Sequence, residues 1–148
     1  MTSAHLPVGR LGATSIDCPD PAELADFYAA LLGMRRVVET PDGGVVAITD
    51  GAAILAMMRV DPYVAPTWPA GDRPQQMHLD VIVDDLDAGE AAVLDLGATK
   101  DDHPPGTSFP VCPDPAAHPV CTAVCCDRRQ SGSAQGGVDP ILREVYSR

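Results

Sequence analysis

Apolar positions along this chain change spacing in an order that occurs twice. In the first half, GATSID carries a short apolar segment, and after Asp20 the spacing becomes helical. Asp20 offers a side-chain acceptor suited to capping a helix, Pro21 fits the first helical position, where no N–H is needed, and Glu23 completes the capping pattern. Leu24, Phe27, Tyr28, Leu31 and Leu32 then recur on one side of that helix, and Gly33 supplies its stop. Beyond Gly33 the runs shorten. Val37-Val38, Val45 to Ile48 and Ala53 to Met58 are separated by Asp42-Gly43-Gly44 and Asp50-Gly51, which predicts a three-stranded meander.

The second half opens on MHLDVIV, where His78, Asp80 and Ile82 alternate with Met77, Leu79, Val81 and Val83, the pattern of a half-buried strand. Asp85 caps a second predicted helix, with Leu86, Ala92, Val93 and Leu96 expected to face inward. Strands are predicted around Phe109 to Cys112 and over Pro119 to Val124. The two halves keep register: Asp20 to Gly33 is 13 residues and Asp85 to Gly97 is 12, while Gly33 to Asp50 and Gly97 to Asp114 are both 17. Spacing held this closely implies tandem copies of one strand-helix-three-strand unit, and so an α+β fold of two βαβββ modules. A single domain is expected over residues 11–126, with modules at 11–59 and 77–126. Residues 60–76, with four prolines and no periodicity, read as an ordered connector, and residues 127–148 as a flexible tail.

Composition narrows the function classes. Twenty-one acidic residues against ten basic ones give a formal charge of −11, which repels phosphate backbones and anionic lipid, so neither nucleic acid nor membrane is an expected partner. No apolar run approaches the roughly 18 residues that cross a bilayer, and MTSAHLPVGR has no apolar signal core, so a cytoplasmic location is expected. The cysteines are Cys18, Cys112, Cys121, Cys125 and Cys126, an odd number with four of them crowded together, which points to free thiols rather than a disulfide framework.

The segments DPAELADFYAALLGM, HLDVIVDDLDA, LGATK and DPAAHPVC resemble the vicinal oxygen chelate superfamily, and within it glyoxalase-like domains. The resemblance spans roughly Leu11 to Val124. It implies a cupped, curved mixed sheet with the helices outside. In metal-dependent relatives four His or Glu side chains hold a divalent ion in the cup, and metal-free relatives bind hydrophobic drugs there. The ligand positions fall near the start of the first strand and on the last strand of each module. His78 stands at the first-strand position seven residues before Asp85, and its counterpart seven before Asp20 is Ala13. On the last strand, Cys121 stands seven residues after Asp114, and Met57 seven after Asp50, with Ala56 in its place if the strand slips by one. A set with no glutamate and with a methyl group at one position cannot build a hard-cation site.

Two functions follow as expectations. The first is a metal-independent small-molecule binding protein of the glyoxalase/bleomycin-resistance type, holding a hydrophobic or cationic ligand, with Tyr63, Trp68, Met57, His78 and Cys121 as candidate ligand-binding residues and no cofactor. The alternative is a glyoxalase-like lyase, isomerase or hydrolase in which His78 is general base and Cys121 nucleophile or thiolate, with His78 and Cys121 sharing a soft metal such as zinc. The cysteines also read as small buried hydrophobes, and Trp68, between Pro66 and Pro69, as a residue that packs over the core. His103 and His118 lie in turn sequences, where surface or turn-stabilising roles are expected. A homodimer is the expected assembly, with tail residues Ile141, Leu142, Val145 and Tyr146 as candidates for contact.

Overall fold

The structure is a computed structural model that describes residues 9–69, 71–100 and 110–124. His103, Phe109, Cys125, Cys126 and the tail lie outside the described residues. The chain divides into two compact units, Met1–Val64 and Ala65–Arg148, and the division falls inside the connector read from the sequence.

In the first unit, β1 (Thr14–Cys18) is followed by α1 (Pro21–Leu32), then β2 (Arg35–Glu39), β3 (Val45–Thr49) and β4 (Ile54–Arg59). The Asp20 side chain accepts from the backbone N–H groups of Ala22 and Glu23, and Gly33 closes the helix at φ 66°, in the left-handed region glycine tolerates. The sheet runs β1-β4-β3-β2, with β1 and β4 parallel and the other pairs antiparallel. Strand alternation gives this sheet two chemically different faces. Ile16, Val46, Ile48, Leu55 and Met57 are buried on one, where α1 packs with Leu24, Ala25, Phe27 and Tyr28. Ser15, Asp17, Ala56 and Met58 belong to the other, which α1 leaves open.

The second unit repeats the plan with β5 (Leu79–Val83), α2 (Leu86–Asp95), β6 (Val111–Pro113) and β7 (Pro119–Val124), its sheet ordered β5-β7-β6 among the described residues. Again the first and last strands are parallel and the hairpin antiparallel. Two mixed sheets, each with a helix, establish the α+β class and agree with tandem βαβββ modules. The helix faces differ from expectation in one respect. Gly89 and Val93 are the buried residues of α2, while Ala92 and Leu96 are exposed. The cause is the close approach of helix to strand at Gly89. A Cβ there would stand 2.9 Å from both methyl carbons of Val83, so only glycine lets α2 seat on β5 along this line.

Two stability predictions follow from this packing. Gly89→Ala forces the helix off Val83 and is expected to cost about 1–3 kcal/mol in denaturant unfolding, the range for overpacking a tight contact, despite alanine's better helix propensity. Thr122 is fully buried on β7, and among the described residues its Oγ1 has no hydrogen-bond partner. Thr122→Val is therefore expected to raise the unfolding free energy by about 1 kcal/mol, since it removes an orphan hydroxyl and keeps the shape.

Candidate functional site

The alternation that sends Leu79, Val81 and Val83 of β5 toward α2 turns Asp80 and Ile82 to the opposite, open face, with His78 just ahead of the strand. Asp80 pairs in register with Cys121 on β7, and Cys121 with Val111 on β6, so these side chains form one row across the sheet. His78 Nε2 lies 3.5 Å from Asp80 Oδ2, with the two side chains 22% and 13% exposed. His78, Asp80 and Cys121 thus share one half-buried face. Sequence reasoning named the first and last of these and passed over Asp80 as a functional group, although its place two residues after His78 on one strand was the available signal.

Burial pushes the Cys121 thiol up to about 11, and the negative charge of Asp80 adds to the effect. At neutral pH Cys121 is therefore a protonated thiol, the opposite of the depressed thiol that nucleophilic cysteines require. Cys112 sits one residue out of register with Cys121 and so on the opposite, α2-covered face. Burial raises its thiol too, with a further push from Glu90. The two sulfurs do not belong to one donor set. Among the described residues Cys18, Cys112 and Cys121 form no disulfide.

The corresponding face of the first unit carries different chemistry. Ser15 pairs with Ala56 at the same residue separation as Asp80 with Cys121, which makes Ala56, rather than Met57, the structural counterpart of Cys121. Met57 is displaced from its expected role by the pleat. It pairs with Ile16 and Val46, is 0% exposed and belongs to the α1-covered core; Met58, 38% exposed, is its neighbour on the open face. Ala13, Ala56 and Ser15 bring no imidazole, thiol or carboxylate to the place where the second unit has three such groups. Among the described residues no group of three or more His, Cys, Asp or Glu side chains is gathered as a metal site. A four-ligand His/Glu set does not fit these residues, because two of its positions are methyl groups.

The other candidates are placed as follows. Tyr63, half-buried, lies at the end of the first unit. Trp68, also half-buried, is in the second, on a loop closed by hydrogen bonds from Thr67 N–H to the Arg73 carbonyl at 3.2 Å and from Arg73 N–H to Thr67 Oγ1 at 3.0 Å. Gly71 is needed for that closure: a Cβ there would collide with Thr67 Oγ1 and approach the Thr67 carbonyl oxygen to 2.8 Å. His118 is in the expected turn but is no surface residue, being only 2% exposed. Its Nδ1 lies 3.1 Å from Asp114 Oδ2, while Asp114 Oδ1 accepts from the N–H groups of Ala116 and His118 at 2.8 and 2.9 Å. Among the described residues no helix is long and apolar enough to cross a membrane.

The sequence profile of the Glyoxalase-like domain matches residues 13–123. The fold matches a lactoylglutathione lyase from Agrobacterium tumefaciens, with 18% identity, a TM-score of 0.53, and coverage of 80% of this chain and 96% of that one. It also matches the fosfomycin resistance protein FosX from Mesorhizobium loti, with 15% identity, a TM-score of 0.55, and coverage of 78% and 91%. A glyoxalase/bleomycin resistance protein/dioxygenase family enzyme from Burkholderia phytofirmans PsJN matches with 16% identity, a TM-score of 0.57, and coverage of 76% and 95%. A search of curated protein sequences returns no match.

Ionisation of Cys121 supplies a test of the site's electrostatics. Its folded pKa is raised, so the stability it contributes is complete below the ordinary thiol value of 9.0 and is lost as pH rises to about 11. The melting temperature is expected to fall through that window, and to fall less steeply in Cys121→Ser. Equal slopes in the two proteins would remove Asp80 and burial as the cause.

Proposed function

The chain belongs to the glyoxalase-like domain family of the vicinal oxygen chelate superfamily, and on that premise we propose that it is a metal-independent small-molecule binding protein whose ligand, hydrophobic with a cationic group, rests on the open face of the second unit's sheet. The observation that carries the reading is the inequality of the two modules. One open face holds His78, Asp80 and a neutral Cys121 thiol, and the other presents Ala13 and Ala56 where further ligands to a metal would be needed. Such a surface has the makings of a binding site: Asp80, 13% exposed, is a poorly hydrated carboxylate beside the Cys121 thiol and on the same face as the exposed apolar side chain of Ile82, suited to an ammonium or amidinium group. The −11 charge adds long-range attraction for cations that weakens with salt.

A second reading rests on the closeness of His78 and Asp80, since a carboxylate at 3.5 Å gives the imidazole the orienting partner a general base needs. In that reading the protein is a glyoxalase-like lyase, isomerase or hydrolase that works through His78, with Cys121 a neutral wall of the site. Loss of turnover in His78→Ala, for any substrate found, is the result it requires.

Titration calorimetry with cationic aromatic antibiotics tests the binding reading. Binding is expected in the intact protein and is expected to weaken at least tenfold, about 1.4 kcal/mol, in Asp80→Asn. Elemental analysis of the purified protein should find zinc, nickel, iron and manganese all well below one ion per chain. Stoichiometric zinc that disappears in both His78→Ala and Cys121→Ser would overturn metal independence. Heat unchanged by Asp80→Asn would overturn the placement of the cation.

A further inference from the structure

Along the open face of β5 the chemistry changes from one side chain to the next. His78 stands just ahead of the strand, Asp80 is next on the same face, and Ile82 follows. Alternate residues of a strand are roughly 7 Å apart, so an imidazole, a carboxylate and an aliphatic group succeed one another at that spacing. His78 and Asp80 are 22% and 13% exposed, whereas Ile82 is 49% exposed. Among the described residues, Ile82 is the one large apolar side chain that the strands of the second unit leave exposed. Its partner on β7 is Ala123, whose methyl is too short to cover it. The first unit does not repeat this order. At the equivalent places β1 carries Ser15 and then Asp17, both exposed, so a hydroxyl precedes a hydrated carboxylate there. Only on β5 does a poorly hydrated carboxylate precede an exposed aliphatic side chain on the open face.

We infer that Ile82 is a specificity-determining residue of the open-face site, and that it selects ammonium or amidinium ions joined by a short tether to an apolar, ring-sized group. This role rests on the binding function proposed above. A cation seated on Asp80 has two directions in which to extend along the strand. Toward His78, its apolar part would cover an imidazole and strip a polar group of water, which costs free energy. Toward Ile82, it would cover exposed aliphatic surface, which is favourable in proportion to the area hidden. The ligand therefore lies with its charge over Asp80 and its apolar body over the C-terminal half of β5. The spacing of roughly 7 Å sets the tether, because a ring bonded directly to the charged nitrogen stops short of Ile82.

Methylammonium and phenylpropylammonium separate the two contributions, because only the second can touch Ile82 with its nitrogen on Asp80. NMR titration of the full chain follows both. The aromatic ion is expected to bind about tenfold more tightly than methylammonium, and its ring current is expected to move the Ile82 methyl signals more than the His78 ring signals. In Ile82→Thr, which keeps the β-branched shape and the strand preference, the ratio of the two affinities is expected to fall toward parity. Ile82→Leu, still aliphatic, is expected to hold the ratio. An unchanged ratio in a folded Ile82→Thr protein would overturn the inference and leave the cation on Asp80 untouched. Ring-current shifts centred on His78 would overturn it as well, and they are read in the intact protein, so the outcome does not depend on the folding of any variant. Absence of saturable binding by either ion and by the cationic antibiotics would remove the binding function itself, and the inference with it.

Discussion

Each sheet in this protein must bury one face under a single helix, and almost everything else follows from that constraint. In the first unit Ile16, Val46, Ile48 and Met57 have to meet Leu24, Phe27 and Tyr28, which fixes the strand pleat and leaves Ser15, Asp17, Ala56 and Met58 uncovered. In the second, the approach of Gly89 to Val83 fixes the same pleat and sends Asp80 outward with His78. Hydrophobic burial of one side thus chooses, by alternation alone, which polar groups are offered to a ligand on the other.

The duplicated plan makes the chemical difference between the modules informative. Equivalent strand positions carry Ala56 in one unit and Cys121 in the other, Ser15 in one and Asp80 in the other. The scaffold supplies two faces of like geometry, and at the equivalent positions the second holds an imidazole, a carboxylate and a thiol where the first holds Ala13, Ser15 and Ala56. Function in this fold is set by such side chains rather than by the backbone, which is why relatives sharing 15–18% identity include a lactoylglutathione lyase and a fosfomycin resistance protein.

Much of the fold was legible in the chain because its signals are local. Asp20-Pro21 and Gly33 mark the ends of α1, and turn residues separate β2, β3 and β4 close to where the strands break. The inward face of α2 was legible at Val93 but not at Gly89, since glycine scores as a weak helix residue until the strand it approaches is known. The site was legible only in part. His78 and Cys121 follow from the internal repeat, but counting from the turns led to Met57, one residue away from the open face, because turn length and strand register are set by different contacts. The importance of Asp80 depends on the parallel pairing of β5 with β7, a contact between distant residues that no local pattern records. His118 was placed in its turn correctly, yet its burial depends on a carboxylate that sequence alone could equally assign to solvent.

The parallel pairing of first and last strands also bears on how the chain is made. In each unit the strand synthesised first finds its partner in the strand synthesised last, β1 with β4 and β5 with β7. During translation, β1 emerges with an unsatisfied edge and stays so until Arg59 has left the ribosome, and β5 waits in the same way for Val124. The contacts that complete each sheet are therefore those of greatest separation within the module, which places loop closure, rather than helix formation, at the slow step of folding. A nascent chain stopped inside either module leaves the five-residue strand β1 or β5 without its partner, so the interval between first and last strand is when each half exposes an unpaired strand edge.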